Sequence, residues 1–110
     1  MTLLDTTWID IGALASIPAR GAKTMRTPNG CVAVFRTGAD EVFALDDRCP
    51  HKGGPLSEGI VHGASVTCPL HNWVFDLNTG EARGADEGIV RTHPCRVEDG
   101  RVLIDAGRLL

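Results

Sequence analysis

Apolar and polar residues alternate along this chain in short runs, and no long stretch repeats every 3.6 residues. Thr6-Thr7-Trp8-Ile9-Asp10-Ile11 predicts a first strand. From Gly12 to Pro18, Leu14 and Ile17 are spaced as for one helical turn, which Pro18 stops. Residues 22–27 and 31–37 flank Pro28-Asn29-Gly30, and an Asn-Gly pair between such runs is the strongest short-range hairpin signal. In the second arm of that hairpin Val32, Val34 and Arg36 are expected on one face, with Cys31, Ala33 and Phe35 on the other. Gly38-Ala39-Asp40 is a second turn, and Glu41 to Leu45 a third strand. Further on, Trp73 to Leu77 reads as a strand closed by Asn78-Thr79-Gly80. Residues 89–98 then pair with 101–105 around Asp99-Gly100, Pro94 confining the first of these to an edge or a bulge. Residues 106–110 are expected to fray. The pattern spells an antiparallel all-β single domain over residues 1–110, without repeats or linkers.

Composition changes this picture little. A chain of 110 residues can bury a core without disulfides, and 43% hydrophobic with 23% charged residues is ordinary for a globular protein. A net charge of -3, with no Lys/Arg-rich run, argues against nucleic acid as a partner. No apolar run approaches membrane-spanning length and Met1 to Asp10 lacks the pattern of a secretory signal, so no membrane association and a cytoplasmic location are expected.

The chemistry lies between the third strand and Trp73. Cys49-Pro50-His51 opens this stretch and Cys68-Pro69-Leu70-His71 closes it, with sixteen residues between His51 and Cys68. Residues i and i+2 of an extended segment point the same way, so Cys49 and His51 can face one centre, and Cys68 and His71 can do so from a tight loop. Three chemistries are open on spacing alone. Structural zinc takes two Cys and two His, although zinc fingers usually group like with like. A catalytic thiol needs one Cys with a His partner and leaves the other arm unexplained. A mixed-ligand [2Fe-2S] centre uses two histidines in place of two cysteines on one iron. Cys31 and Cys95 have no ligand neighbour at useful spacing and are expected as small buried side chains on strands. His62 and His93 likewise lack such neighbours and are expected to be ordinary strand or surface histidines.

Cys-x-His, sixteen residues, then Cys-x-x-His, with Pro50 and Pro69 each following the ligand Cys, resembles the Rieske iron-sulfur motif. Lys52-Gly53-Gly54-Pro55-Leu56 and Trp73-Val74-Phe75-Asp76 are similar to its ferredoxin-like branch. The resemblance implies a Rieske fold, with an antiparallel β-sandwich base and a small cluster-binding subdomain at about residues 45–75. It implies one [2Fe-2S] cluster per chain, with Cys49 and Cys68 on one iron and His51 and His71 on the other. Lys52, Gly53, Gly54, Leu70 and Trp73 would lie around it, and a third covering loop would fall near Gly84 to Gly88, including Asp86-Glu87. Trp73 is expected chiefly as core filling.

Two departures from the family pattern concern the potential. Rieske proteins of respiratory complexes carry a disulfide between the ligand loops, where this chain has Gly54 and Leu70, and Ser and Tyr hydroxyls where it has Trp73 and Phe75. Loss of hydrogen-bond donors favours the oxidised cluster, so a low potential is expected. No dinucleotide or Walker-type glycine loop is present. The chain is therefore expected to pass single electrons as a non-catalytic subunit of an oxidoreductase.

By resemblance the segments 49–63, 68–74 and 84–88 favour the small subunit of NAD(P)H-dependent nitrite reductase. Its partner would be a large catalytic subunit with flavin and sirohaem that reduces nitrite to ammonia in nitrate assimilation. The alternative is a Rieske ferredoxin of a ring-hydroxylating dioxygenase system. A third reading is a zinc-stabilised β module for protein interaction.

Overall fold

The computed structural model describes residues 8–28, 30–48, 55–69, 73–83 and 88–105. Its ten strands are β1 (Trp8–Ala13), β2 (Gly21–Thr27), β3 (Gly30–Arg36), β4 (Val42–Asp46), β5 (Ile60–His62), β6 (Ser65–Thr67), β7 (Val74–Asp76), β8 (Thr92–His93), β9 (Cys95–Glu98) and β10 (Arg101–Asp105). The only helical pieces among the described residues are 3-10 turns at Leu14–Ser16 and Leu56–Glu58. The first matches the expected turn before Pro18. The expected fraying of 106–110 lies outside the described residues.

The strands form three antiparallel sheets, ordered β1-β10-β9, β2-β3-β4-β8 and β5-β6-β7. The four-stranded sheet is central because β3 buries both of its faces. Val32 and Val34, with Val42 and Ala44 of β4, pack against Ile17, Val102 and Ile104. Ala33, Phe35 and Leu45 point the other way, onto Leu56, Val61, Val66, Cys68, Phe75 and Leu77. The alternation expected for β3 is thus observed, and it joins the base sheets to the small sheet. Phe35 and Phe75 are fully buried, each burial contributing about 1.5–3 kcal/mol.

Two expectations need correction. Residues 89–98 do not form one strand. Ile89 makes an isolated bridge to Glu81, Thr92–His93 pairs with β4, and Cys95–Glu98 pairs with β10. Pro94 stands where the chain crosses between sheets, because it has no amide to donate, and its carbonyl accepts from Asp105 N at 3.0 Å. Cys31 lies on a strand but is exposed. It shares a face with Ala33 and Phe35, but the apolar cover over that face begins at Ala33. Cys95 is partly buried against the Val102 cluster, close to expectation.

Turn chemistry fixes the hairpins. Asp99 (φ 50°) and Gly100 (φ 75°) both take the left-handed conformation that a two-residue hairpin needs. Sequence reading did not anticipate the β5–β6 hairpin, which turns at Gly63-Ala64. Its strands are three residues each, too short for alternation to stand out.

Candidate metal centre

Three loops leave the small sheet and the neighbouring end of the central sheet, and each is tied at its neck. The first follows β4. Asp47 N donates to Cys31 O at 2.9 Å, extending the β3–β4 ladder past the strand end, and Arg48 N donates to Asp46 O at 2.8 Å. Beyond Pro55, Leu56, fully buried, begins the second 3-10 turn. Asp47 Oδ1 accepts Ser57 N at 2.7 Å, and Asp47 Oδ2 accepts the Ser57 hydroxyl at 2.7 Å.

The second loop leaves β6. Cys68 is completely buried in the apolar cluster under the small sheet. Its N–H donates to Trp73 O at 2.7 Å, closing the loop between them. Trp73 packs part-buried on the same cluster, its ring centroid 6.2 Å from Phe75, in line with the expected packing role. The third loop follows β7. Ala82 N donates to Gly88 O at 2.9 Å, Arg83 N to Val74 O at 2.8 Å, and Glu81 bridges to Ile89.

Asp76 organises the base of this third loop. Its Oδ1 accepts the N–H groups of Asn78 (2.8 Å) and Thr79 (3.1 Å), and its Oδ2 accepts Arg83 Nη2 at 2.9 Å. Partial burial alone would raise the Asp76 carboxyl, but the Arg83 guanidinium and the two backbone donors outweigh it and hold it below its ordinary value.

The turn that closes the first loop also lies directly against the strand that leads into the second. Gly59, at the end of the 3-10 turn, lies so near β6 that an added Cβ would fall within 3.0 Å of Thr67 O. Thr67 immediately precedes Cys68.

Of the residues singled out from sequence, Cys68 and Trp73 are thus brought to one place. Cys49, His51, His71, Lys52, Gly53, Gly54 and Leu70 lie outside the described residues, as do 84–87 with Asp86-Glu87. Among the described residues no group of three or more His, Cys, Asp or Glu could hold a metal ion, so no rival centre competes there. Cys68 itself, a fully buried thiol in the apolar cluster, fits the thiolate part of a centre built from two thiolates and two imidazoles.

His93 is a buried strand residue rather than a surface one, and its Nε2 lies 2.8 Å from Asp46 Oδ1. Arg91 Nε is 3.3 Å from the other Asp46 oxygen. His93 Nδ1 is buried with no hydrogen-bond partner. Forty-seven residues separate Asp46 from His93, so only the β4–β8 pairing reveals this contact. Asp47 and Ser57 were likewise missed, since nothing local in the sequence marks them as partners. His62, by contrast, is exposed on β5, with Nε2 2.7 Å from Thr67 Oγ1.

Three antiparallel sheets, with Cys68 buried at the neck of one loop, make an all-β protein whose family is given by its sequence. Residues 7–105 match the Rieske-like [2Fe-2S] domain family, and the chain belongs to it. It is 44% identical over 77 residues to the anthranilate 1,2-dioxygenase ferredoxin subunit of Burkholderia cepacia, covering 69% of this chain and 70% of that one. The ferredoxin of carbazole 1,9a-dioxygenase from Nocardioides aromaticivorans superposes with a TM-score of 0.80 at 25% identity, covering 91% of this chain and 98% of the other. A chain described as an NADH-dependent nitrite reductase small subunit from Mycobacterium tuberculosis gives 0.80 at 25% identity, with 91% and 95% covered. Family membership implies a [2Fe-2S] cluster. No helix among the described residues is long and apolar enough to cross a membrane.

Proposed function

We propose that this chain is a one-electron carrier that supplies a larger oxygenase component, with Cys49, His51, Cys68 and His71 as its cluster ligands. The observation that carries the choice of partner is the 44% identity to an aromatic-ring dioxygenase ferredoxin. When bound, the cluster supplies one reversible electron per cycle. The protein's own part is to hold and shield it. The ties Asp47–Ser57, Cys68–Trp73 and Ala82–Gly88 fix the loop necks, and Leu56, Val66 and Phe75 belong to the apolar cluster that buries Cys68 away from water. Four protein ligands would leave no open metal position, so substrate chemistry would belong to the partner.

The small subunit of NAD(P)H-dependent nitrite reductase is the second reading. The resemblance of segments 49–63, 68–74 and 84–88 favours it, and so does the 0.80 TM-score to such a subunit. The 44% identity to a dioxygenase ferredoxin supports putting the oxygenase reading first. Stopped-flow reoxidation of the reduced protein separates them. Rapid single-turnover oxidation by a ring-hydroxylating oxygenase supports the first reading. Oxidation only by a sirohaem nitrite reductase would replace it with the second.

The midpoint potential is expected near the low end of the roughly −150 to +300 mV Rieske range. Phe75 is fully buried and has no hydroxyl, and Trp73 replaces the other hydroxyl donor. A midpoint above about +150 mV would show that these two positions do not govern it.

A further inference from the structure

The geometry points to Asp47 and Ser57 as a positioning pair for the first ligand loop, holding Cys49 and His51 in register with Cys68. The inference rests on the ligand assignment proposed above.

Asp47 is pinned on both sides. Its backbone N–H is bonded to Cys31 O of β3, so the central sheet fixes the main chain. Both carboxylate oxygens are then spent on a single residue, the amide and the hydroxyl of Ser57, at 2.7 Å each. Hydrogen bonds to a carboxylate are about twice as strong as neutral ones, and both groups here are part-buried, where screening is weaker. Among the described residues the partners of the Asp47 carboxylate are the amide and hydroxyl of Ser57.

The tie spans ten residues, of which Cys49 and His51 are two and four positions past Asp47. Ser57 in turn sits between Leu56, fully buried, and Glu58, next to Gly59 at the Thr67 backbone. Asp47 and Ser57 together therefore link the start of β3 to the 3-10 turn, whose last residue, Gly59, lies against the strand that delivers Cys68. Release of the tie would remove this side-chain link between the two ends of the first loop, while the buried Leu56 would still hold the turn on the core. The ligands would then be free to separate without the fold unfolding.

The test uses the cluster-loaded protein and three variants, Asp47→Ala, Asp47→Asn and Ser57→Ala. The readouts are the rate of visible bleaching in excess chelator, the midpoint potential, and hydrogen exchange of the segment 55–59. Asp47→Ala is expected to bleach at least tenfold faster, equivalent to about 1.4 kcal/mol. Ser57→Ala, which loses only the hydroxyl bond, is expected to bleach about threefold faster. The side-chain amide introduced by Asp47→Asn would keep an acceptor for the Ser57 N–H and a donor for its hydroxyl, so that variant should stay within about twofold of wild type. Both Asp47 variants raise the midpoint, because removing a negative charge favours the added electron. Exchange at 55–59 speeds up in the Ala variant and not in the Asn variant.

Wild-type bleaching in both Asp47→Ala and Ser57→Ala overturns the proposal, and so does an Asn variant as fast as the Ala variant. Where Asp47→Ala yields no folded protein, Ser57→Ala and the exchange of 55–59 decide in the same sense. Cys49→Ser separates the two levels. An unaltered cluster there overturns the ligand assignment, whereas its loss there combined with wild-type bleaching in the pair variants overturns the positioning role alone.

Discussion

Gly59→Ala is the substitution that most directly probes how the two ligand loops are held together. Gly59 has φ −79° and ψ 179°, a conformation open to any residue, so backbone strain plays no part. On conformational entropy alone the change should stabilise by about 0.4–1 kcal/mol. Space decides otherwise. The new Cβ would fall within 3.0 Å of Thr67 O, 3.0 Å from Val66 Cγ2 and 3.1 Å from Leu56 O. A valine methyl can rotate, but a strand carbonyl moves only with its strand. Relief therefore requires the 3-10 turn and β6 to separate, and overpacking of this kind costs about 1–3 kcal/mol. The balance is a net loss of about 1–2 kcal/mol, which lowers the Tm of a domain this size by roughly 5–15 °C. Because Thr67 precedes Cys68 and Gly59 closes the first loop, the visible cluster spectrum should also shift or weaken. The matched control is Gly63→Ala. Gly63 has φ 57° but no atom within 4 Å of a Cβ, so it should cost about 1–2 kcal/mol of backbone strain with an unchanged spectrum. Circular dichroism melts and visible absorbance of the loaded proteins check both. A Gly59→Ala protein with wild-type Tm and spectrum would refute the close approach of the 3-10 turn to β6.

Other expectations follow from the same geometry. Asp76→Ala removes three acceptor contacts and should cost about 1–2 kcal/mol at pH 7 by urea unfolding. Since the folded Asp76 carboxyl is held below 3.8, its contribution is present above about pH 4 and is lost as pH falls through the lowered value, so wild type and variant should converge in stronger acid. Burial pushes the Cys95 thiol up to about 12 while Cys31 is exposed, so alkylation of the native protein at pH 8 should label Cys31 and reach Cys95 only on unfolding, as read by mass spectrometry. His51→Cys or His71→Cys should lower the midpoint in any variant that assembles a cluster, because a thiolate adds negative charge. An unchanged midpoint would mean that the replaced histidine is not a ligand.

What the sequence made legible was whatever is encoded within a few residues. The two-residue turn at Asp99-Gly100, the two faces of β3 and the all-β class follow from local turn chemistry and a period of two. The Cys/His spacing likewise pointed to a metal centre and to its family before any geometry. Contacts set by sheet assembly were not legible. Asp46 meets His93 only because β4 pairs with β8, and Asp47 meets Ser57 only because the first loop closes. The split of residues 89–98 between two sheets escaped because strand-forming residues lie on both sides of Pro94 while their pairing partners differ. Cys31 escaped because alternation gives the face of a residue and not where the cover over that face ends.

Cys49, Cys68, His51 and His71 are the proposed ligands of one [2Fe-2S] cluster. Pulsed EPR of the dithionite-reduced protein, with its histidines labelled with nitrogen-15, tests this assignment most directly. The account predicts an anisotropic half-spin signal coupled to two histidine nitrogens, one lost in His51→Cys and the other in His71→Cys. A reduced signal without nitrogen coupling, or a colourless protein with stoichiometric zinc and no sulfide after anaerobic purification, would contradict it.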